Sequence, residues 1–188
     1  MSKKAYTAAQ FDHVEGLEAI QLRPGMFVSD AGDAAVEVLF REVLDNSIDE
    51  AMNGHGNLIE VTVVGDRVTV RDRGRGIPIE PHPKHPNISV LEVVLTKLNS
   101  GAKLREKYKT SNDLHGIGLK TLTALSAEIA VEVRRDDGKA HTMRFADAKR
   151  TTSPFETRDL RPGEHTSGTS VSWRLSGKWL GDAPSLTI

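Results

Sequence analysis

The longest amphipathic pattern in the chain covers residues 36–52. Glu42, Asn46 and Asp49 stand at i, i+4 and i+7, so they form a polar stripe along one side of the predicted helix. Asp45 flanks this stripe, which contains no lysine or arginine. Such a stripe can hold a divalent cation and a water molecule, or it can be an ordinary solvated helix face, which is the usual explanation of a single acidic residue. The apolar positions recur at helical spacing and predict a core-facing side, made of Leu39, Phe40, Val43, Leu44, Ile48 and Ala51.

Alternation of apolar and polar residues predicts β-strands after this helix and again in the last third of the chain. Residues 58–64 and 67–71 alternate around Gly65 and Asp66, which predicts a hairpin with Asp72 at its exit. Three later segments alternate in the same way, with a turn at 136–138 and a loop up to Ser167; they are residues 129–135, 141–145 and 169–175.

Shorter segments carry helix and loop signals. Residues 14–20 predict one or two helical turns, and Asp33 is a candidate N-cap of the long helix. Ser89 predicts the cap of a helix over residues 90–98 that stops at Gly101. Four prolines and two histidines between 78 and 87 favour a loop rather than a metal site.

Composition limits the classes of protein that fit. A chain of 188 residues with 38% hydrophobic content can bury one core, so a single domain is expected. A net charge of -1 argues against a free-standing nucleic-acid-binding domain. The absence of cysteine excludes disulfides and thiolate metal sites, and no apolar run approaches membrane-spanning length. A cytoplasmic protein without a membrane partner is therefore expected.

Two glycine turns are candidates for backbone contact with a ligand. The first is Asp72-Arg-Gly-Arg-Gly-Ile-Pro78, where Asp72 places an acceptor at the rim of a cavity or simply forms an Asx turn. The second is Leu114-His-Gly-Ile-Gly118, which opens a helix over residues 119–126 whose N-terminus attracts anions such as phosphate. Between them, residues 102–113 are polar and lysine-rich, which is typical of a mobile lid or of an exposed basic loop.

The segments 42–51, 72–78 and 114–118 resemble, in this order, the three nucleotide-binding motifs of the GHKL ATPases, which include gyrase, Hsp90, histidine kinases and MutL. Residues 16–26 and the form Asn-Ser-Ile-Asp-Glu-Ala resemble the type IIA topoisomerase branch, specifically gyrase B and its ParE relative. The resemblance runs from Tyr6 to about Trp173. It implies a Bergerat fold, an α/β two-layer sandwich with a mixed β-sheet covered on one face by helices.

The resemblance also implies residue roles. Glu42 matches the general base that activates water, and Asn46 matches the Mg²⁺ ligand that bridges to the phosphates. Asp72 matches the acceptor of the adenine amino group, and Thr169 supports the same site through water. Arg135 matches the arginine that contacts aminocoumarin inhibitors. The other residues implied around the nucleotide are Tyr6, Asp49, Arg75, Gly76, Ile77, Pro78, Lys103, Tyr108, Asp113, Leu114, His115, Gly116, Ile117, Gly118 and Leu119.

For some of these residues the resemblance also implies a position in the nucleotide site. Gly76, Ile77 and Pro78 form the wall against adenine, with Arg75 at the mouth. Residues 114–119 wrap the phosphates under a lid that contains Lys103 and Tyr108, and Tyr6 reaches into the partner's nucleotide site when two domains dimerise.

The chain departs from the family pattern in its lid. Gly101-Ala-Lys103 and Ser111-Asn-Asp-Leu-His-Gly116 stand where the family reads Gly-Gly-Lys and Ser-Gly-Gly-Leu-His-Gly. Each lost glycine removes conformational freedom, and Asp113 adds negative charge beside the expected phosphates. Neither a transducer nor a TOPRIM domain fits in 188 residues, so the expected organisation is an arm over 1–13 and an ATP-binding domain over 14–188 that ends early. We expect ATP binding with little or no turnover by this chain alone.

The resemblance implies a function and one alternative. The function is the ATP-binding module of an ATP-dependent DNA topoisomerase, in which Mg-ATP binding and hydrolysis close a dimer gate and drive DNA strand passage. It implies a gyrase A-like protein and DNA as partners in the full-length enzyme, a nucleotide-dependent homodimer through the arm when the transducer is present, and aminocoumarin antibiotics as inhibitors. The alternative is a stand-alone GHKL regulatory protein that binds nucleotide without topoisomerase activity. A histidine kinase or a chaperone ATPase is disfavoured by the Arg23-Pro-Gly-Met26 segment.

Overall fold

The computed structural model of the protein describes residues 16–28, 32–97 and 116–180. Within these ranges the helices are α1 (Gly16–Leu22), α2 (Asp33–Met52), α3 (Val90–Thr96), α4 (Gly118–Leu125) and α5 (Gly177–Leu180), with a 3-10 turn at Pro24–Met26. The strands are β1 (Ile59–Val64), β2 (Arg67–Asp72), β3 (Pro81–His82), β4 (His85–Ser89), β5 (Ser126–Arg135), β6 (Lys139–Ala146), β7 (Lys149–Arg150), β8 (Glu156–Asp159) and β9 (Gly168–Leu175).

The main sheet is ordered β1-β2-β9-β5-β6, and β7 and β8 both pair with β6. β9 lies between the hairpins β1/β2 and β5/β6, so the latest strand in the sequence is central in the sheet. The α/β fold class is confirmed. The expected mixed sheet is not found, because every strand pair in the described ranges is antiparallel.

The two faces of the sheet differ as strand alternation predicts. One face is apolar and packs against the helices, with Val70, Val131, Val171 and Trp173 among its buried residues. The opposite face is polar and carries side-chain pairs such as Thr69 with Ser172 and Arg67 with Glu128. α4 closes the helical layer, since all its residues are buried and it packs against α1, α2 and α3. No helix in the described ranges has the length and apolar character needed to span a membrane.

The long helix α2 differs in detail from its prediction. It begins at Asp33, and Gly32 occupies the N-cap without a side-chain hydrogen bond, so Asp33 is the first helical residue and not the cap. Phe40, Leu44 and Ile48 are half-buried and Ala51 is exposed. The fully buried side consists instead of Ala35, Val36, Leu39, Val43, Ser47 and Asp49. The inward face thus becomes polar towards the C-terminus of α2, because that half of the helix borders polar groups at the end of β2.

Two segments predicted as loops contain short strands. β3 and β4 form a two-stranded ribbon that overlaps the proline-rich segment 78–87, and edge strands of this kind tolerate proline. β7 and β8 lie within the segment predicted as a loop up to Ser167, and they are too short to show alternation. The Ser89 cap is confirmed, since its hydroxyl accepts from the Glu92 N–H at 3.1 Å, although α3 ends at Thr96.

Candidate functional site

The carboxylate of Asp72 is held by three parts of the chain at the end of β2. Its Oδ1 accepts from the Gly74 N–H at 2.8 Å and from the Thr169 N–H at 3.1 Å. Its Oδ2 accepts from the Ser47 hydroxyl at 3.1 Å. The Gly74 contact is the Asx turn that was the simpler explanation of Asp72. The contacts from α2 and β9 go beyond a turn, and they fix the carboxylate between the helical layer and the sheet.

The ionised form of Asp72 is costly in this position. Burial raises the pKa of Asp72 above its ordinary value, and the negative charge of Glu50 acts in the same direction. The hydrogen bonds from Gly74, Thr169 and Ser47 act against this rise. Because Oδ1 already accepts two hydrogen bonds and Oδ2 accepts one, Oδ2 has room for a further donor. A ligand N–H directed at Oδ2 would stabilise the ionised carboxylate.

Glycine is required at two points around this carboxylate. Gly76 has φ +76°, and a Cβ atom there would lie 2.6 Å from the Arg134 carbonyl oxygen. Gly168 has φ +131°, and a Cβ atom there would overlap the Asp72 carbonyl oxygen. The first turn therefore packs its backbone directly onto β5 and β9, a contact within the protein that the sequence analysis did not predict.

Two arginines lie beside the glycine turn. Arg75 donates from Nε and Nη2 to the two oxygens of Glu50 at 3.1 and 2.8 Å, and its backbone N–H also donates to Glu50. Arg135 donates from Nη1 to the Gly76 carbonyl oxygen at 3.1 Å and lies 3.7 Å from Glu80. Both arginines thus brace the turn. Glu50 and Ser47 were not predicted as site residues. Glu50 stands one helical turn after Asn46, and this spacing was a signal that could have identified it.

The polar stripe of α2 meets the second glycine turn. A Cβ atom at Gly118 would lie 2.6 Å from the Glu42 Cβ, so the Glu42 side chain packs against the first residue of α4. The Asn46 amide donates to the Glu42 carbonyl oxygen at 2.8 Å. Asp49 is 1% exposed, which contradicts the interpretation of the stripe as a wholly solvated face.

The oxygen atoms of this stripe can supply some, but not all, of the ligands that Mg²⁺ requires. Carboxylate and amide oxygens are the protein ligands that Mg²⁺ accepts, and the ion usually keeps waters and phosphate oxygens as further ligands. Within the described ranges no group of three or more His, Cys, Asp or Glu residues could hold a metal on its own. An ion at Asn46 would accordingly depend on a bound phosphate.

The start of α4 contains a buried lysine that the sequence analysis did not single out. Gly116 has φ +65°, and Ile117 provides the N-cap position of α4 without a side-chain cap. Lys120 is buried and its ammonium donates to the Gly116 carbonyl oxygen. Burial lowers the pKa of Lys120 to about 8. Leu119 is also buried and belongs to the core.

The helix α2 connects both parts of the site, since Ser47 contacts Asp72 while Glu42 contacts Gly118. Comparison with protein families then decides the class. Residues 33–176 match the family of histidine kinase-, DNA gyrase B- and HSP90-like ATPases. The chain belongs to this ATPase family. The resemblance inferred from the three motifs is confirmed.

Within this ATPase family the chain is similar to the gyrase B and topoisomerase IV B proteins. DNA gyrase B of Haloferax volcanii is 43% identical over 175 residues, which cover 92% of this chain and 27% of that protein. The corresponding B protein of DNA topoisomerase 4 from Bartonella bacilliformis is 45% identical over 143 residues, covering 75% of this chain and 20% of that protein. The chain thus spans about a quarter of the length of these relatives.

Solved structures agree with this assignment to the ATPase family. The 43K ATPase domain of Thermus thermophilus gyrase B, in complex with an aminocoumarin, has a TM-score of 0.75 and 30% identity, covering 90% of this chain and 42% of that chain. The topoisomerase IV ATP binding domain of Francisella tularensis, in complex with a small-molecule inhibitor, has a TM-score of 0.71 and 31% identity. The match covers 89% of this chain and 76% of that chain.

Part of the predicted nucleotide site of this ATPase domain lies outside the described residues. This applies to Tyr6, Lys103, Tyr108, Asp113, Leu114 and His115, and to the lid around them. Among the described candidates, Asp72, Thr169 and Gly76 lie together where β2 ends and β9 begins, whereas Glu42 lies against α4, one turn before Asn46 on α2. Ile77 packs against the core and Pro78 is exposed.

Proposed function

We propose that this chain is the ATP-binding module of a gyrase-B-like type II DNA topoisomerase. The observation that carries the proposal is the double role of α2. This helix holds an acceptor carboxylate through Ser47 and presents Glu42 to the N-terminus of α4. A single helix thereby connects a carboxylate that can accept a hydrogen bond from a nucleobase with a helix N-terminus that can bind phosphate. ATP carries a group for each position, since its adenine can bind at Asp72 and its phosphates at the N-terminus of α4.

On the adenine side, Asp72 Oδ2 accepts a hydrogen bond from the exocyclic amino group. The Thr169 hydroxyl supports the same position through water. Its N–H group also orients the Asp72 carboxylate. Gly76, Ile77 and Pro78 form a wall, which Arg135 holds in place through its hydrogen bond to Gly76. Arg75, whose side chain is 52% exposed and paired with Glu50, lies at the mouth.

On the phosphate side, the backbone N–H groups of Gly116 to Leu119 bind phosphate oxygens at the N-terminus of α4. Glu42 acts as the general base for the attacking water. Asn46 would hold Mg²⁺ through its amide oxygen, and this ion supplies charge neutralisation at the phosphates when bound. Asp49, the third residue of the stripe, is buried and borders the nucleotide site from α2.

Replacing Glu42 by alanine separates binding from hydrolysis. We expect ATP affinity to remain near that of the wild type, because the base acts on water, while phosphate release falls by about 100-fold or more. Calorimetric titration measures the affinity, and a single-turnover assay at high protein concentration measures hydrolysis, since turnover by the chain alone is expected to be low. Glu37→Ala is the matched control, because Glu37 lies on the exposed side of α2 and pairs with Arg41. Equal loss of affinity and hydrolysis in Glu42→Ala would make Glu42 a ligand rather than a base.

The companion change is Asn46→Ala. It should remove the dependence of ATP affinity on Mg²⁺, because the ion loses its protein ligand. Titrations with a non-hydrolysable ATP analogue, with and without Mg²⁺, measure this dependence. An unchanged Mg²⁺ effect in the variant would assign the ion to other residues.

Inhibitor binding tests the mouth of the site. An aminocoumarin of the kind bound to the Thermus gyrase B domain should bind this chain, and Arg135→Ala should weaken it by about 10- to 100-fold, because a guanidinium offers paired donors in fixed geometry. A fluorescence or calorimetric titration gives the two affinities. Arg144→Ala is the control, since Arg144 lies on β6 and pairs with Glu156. Equal affinity in wild type and Arg135→Ala would mean that Arg135 does not border the inhibitor.

We further propose, by analogy with these relatives, that the module works with a gyrase A-like protein and DNA, closing a homodimer on ATP binding through residues 1–13 while 14–188 hold the nucleotide. Sedimentation of a protein that joins this chain to a transducer domain, with and without a non-hydrolysable ATP analogue, tests the dimer. Tight ATP binding without any contact to a gyrase A-like protein or DNA in the full-length protein would favour a stand-alone nucleotide-binding regulator.

A further inference from the structure

One end of the polar sheet face carries a cleft that lies opposite the helical layer. Arg71 on β2, Ser170 on β9 and Glu132 on β5 are aligned across the three strands. Their neighbours Val70 and Val171 are buried in the core. Because successive side chains of a strand point to opposite faces, the aligned polar residues face away from the helices. The cleft that they border therefore lies on the reverse of the sheet from α2 and α4.

The carboxylates at this cleft are already paired. Glu132 accepts hydrogen bonds from Arg134 at 2.6 Å and from Arg158 at 3.2 Å. Glu164 accepts from the same two arginines, at 3.3 Å from Arg134 and at 2.7 Å from Arg158. Two carboxylates and two guanidinium groups balance each other in charge. This cluster is neutral by itself, so it does not offset the charge of any further arginine.

Two further arginines at the cleft have no such partner. Arg71 is exposed and Arg73 is half-buried, and both line the cleft beside Glu132. Of the residues that the structure describes, none forms an ion pair with either arginine, and none accepts from the buried Nε atom of Arg73. A buried N–H group without an acceptor costs free energy, so an acceptor supplied by a bound partner would stabilise this position.

The group that suits these arginines is an oxyanion, and the surroundings favour a carboxylate over a nucleic acid. A guanidinium presents paired N–H donors that match the two oxygens of a carboxylate. The cleft has room for a group of about the size of a water molecule, which suits the end of a side chain. Glu60, aligned with Arg71 on β1, and Glu128 on β5 are exposed on the same face. A phosphate backbone, with a charge at every nucleotide, would meet these carboxylates as well as the arginines.

We propose that Arg71 and Arg73 form a docking site for an acidic segment of a partner protein, in which one Asp or Glu carboxylate enters the cleft and accepts from both guanidinium groups. The carboxylate supplies the acceptor that Arg73 Nε lacks and balances the charge of the two arginines. The cleft lies on the reverse of the sheet from the proposed nucleotide site, so the two sites are tested independently. The competing explanation is that water hydrates both arginines and no partner binds.

The test uses two anionic probes, a fluorescent hexaglutamate peptide and a fluorescent oligothymidine of the same length. Fluorescence anisotropy with the full chain at low ionic strength measures both affinities, since salt weakens ion pairs at a surface. We expect the wild type to bind the peptide more tightly than the oligothymidine. Arg71→Met and Arg73→Met should each weaken peptide binding by about tenfold or more, because each loses a charge-assisted hydrogen bond. Arg41→Met is the matched control and should bind like the wild type, because Arg41 is exposed on α2 in the helical layer.

Peptide affinity that is the same in the wild type and in both variants would overturn the proposal, as would a wild type that does not bind the peptide. Tighter binding of the oligothymidine, lost in the same variants, would assign the cleft to nucleic acid instead. Arg71 is exposed, so Arg71→Met decides the question even if Arg73→Met does not fold. The ATP affinity of Arg71→Met should equal that of the wild type, and a parallel loss of ATP and peptide affinity would contradict a separate docking site.

Discussion

Replacing Asp72 by asparagine is expected to weaken ATP binding by about 10- to 100-fold while leaving the fold intact. The amide oxygen of asparagine can take the place of Oδ1, which accepts from the Gly74 and Thr169 N–H groups. The amide nitrogen then replaces Oδ2 and faces Ser47, whose hydroxyl can accept instead of donate. The adenine amino group would meet a donor where it needs an acceptor, so binding loses a charge-assisted hydrogen bond.

Calorimetric titration with a non-hydrolysable ATP analogue measures this loss, and thermal unfolding checks the fold. Asp66→Asn, in the exposed turn of the β1/β2 hairpin, is the matched control and should bind like the wild type. Wild-type affinity in Asp72→Asn would remove Asp72 from the nucleotide site.

The raised pKa of Asp72 adds a pH dependence to the same experiment. Wild-type affinity should fall as the pH is lowered through this pKa, which lies above the ordinary value of 3.8, whereas Asp72→Asn should show no such fall. The effect of this ionisation on folding stability has the opposite sign to that of a carboxylate in an ion pair. Because the pKa is higher in the folded state, ionisation of Asp72 costs stability as the pH rises through the interval from 3.8 to the folded value. The variant removes this cost, which supports an unchanged fold at neutral pH.

Replacing Gly168 by alanine should reduce both stability and nucleotide affinity. A Cβ atom at this position would overlap the Asp72 carbonyl oxygen, and φ is +131°, so β9 must move away from the end of β2. We expect a loss of about 2–4 kcal/mol in the free energy of unfolding from the overlap and the backbone strain together. The shift also displaces the Thr169 N–H from Asp72, so ATP affinity should fall with it.

Gly163→Ala separates the two causes. Gly163 has φ +85°, but a Cβ atom there would meet no atom within 4 Å. This variant should lose only the strain of a left-handed residue, about 1 kcal/mol, and bind ATP normally. Chemical denaturation of both variants gives the comparison. Equal destabilisation of Gly163→Ala and Gly168→Ala would show that backbone strain alone matters and that the β2–β9 contact does not.

Local periodicity was sufficient to predict the elements whose signal lies within a short segment. The helix α2, the β1/β2 hairpin and the strands β5, β6 and β9 follow from spacing and turn glycines. The Ser89 cap follows from a single residue type ahead of an apolar run. Elements with too few residues for a period, such as β3, β4, β7 and β8, were missed for that reason. The assignment to the ATPase family also came from sequence alone, because three motifs occur in a specific order.

Long-range packing decided which of those residues meet. The Thr169 N–H reaches Asp72 across 97 residues, because β9 inserts beside β2 and aligns Val70 with Val171. No local pattern encodes that strand order, since backbone hydrogen bonds pair strands irrespective of their separation along the chain. Burial of polar groups was likewise invisible: Asp49 and Lys120 look like surface residues in a helix sequence, and only the packing of α4 on its neighbours places Lys120 inside. Local residue patterns were thus enough for the family, the strand periodicity and the motif residues. The hydrogen bonds, the pKa values and the buried charge at the candidate site depend on segments that are distant in the chain and meet only in the folded protein.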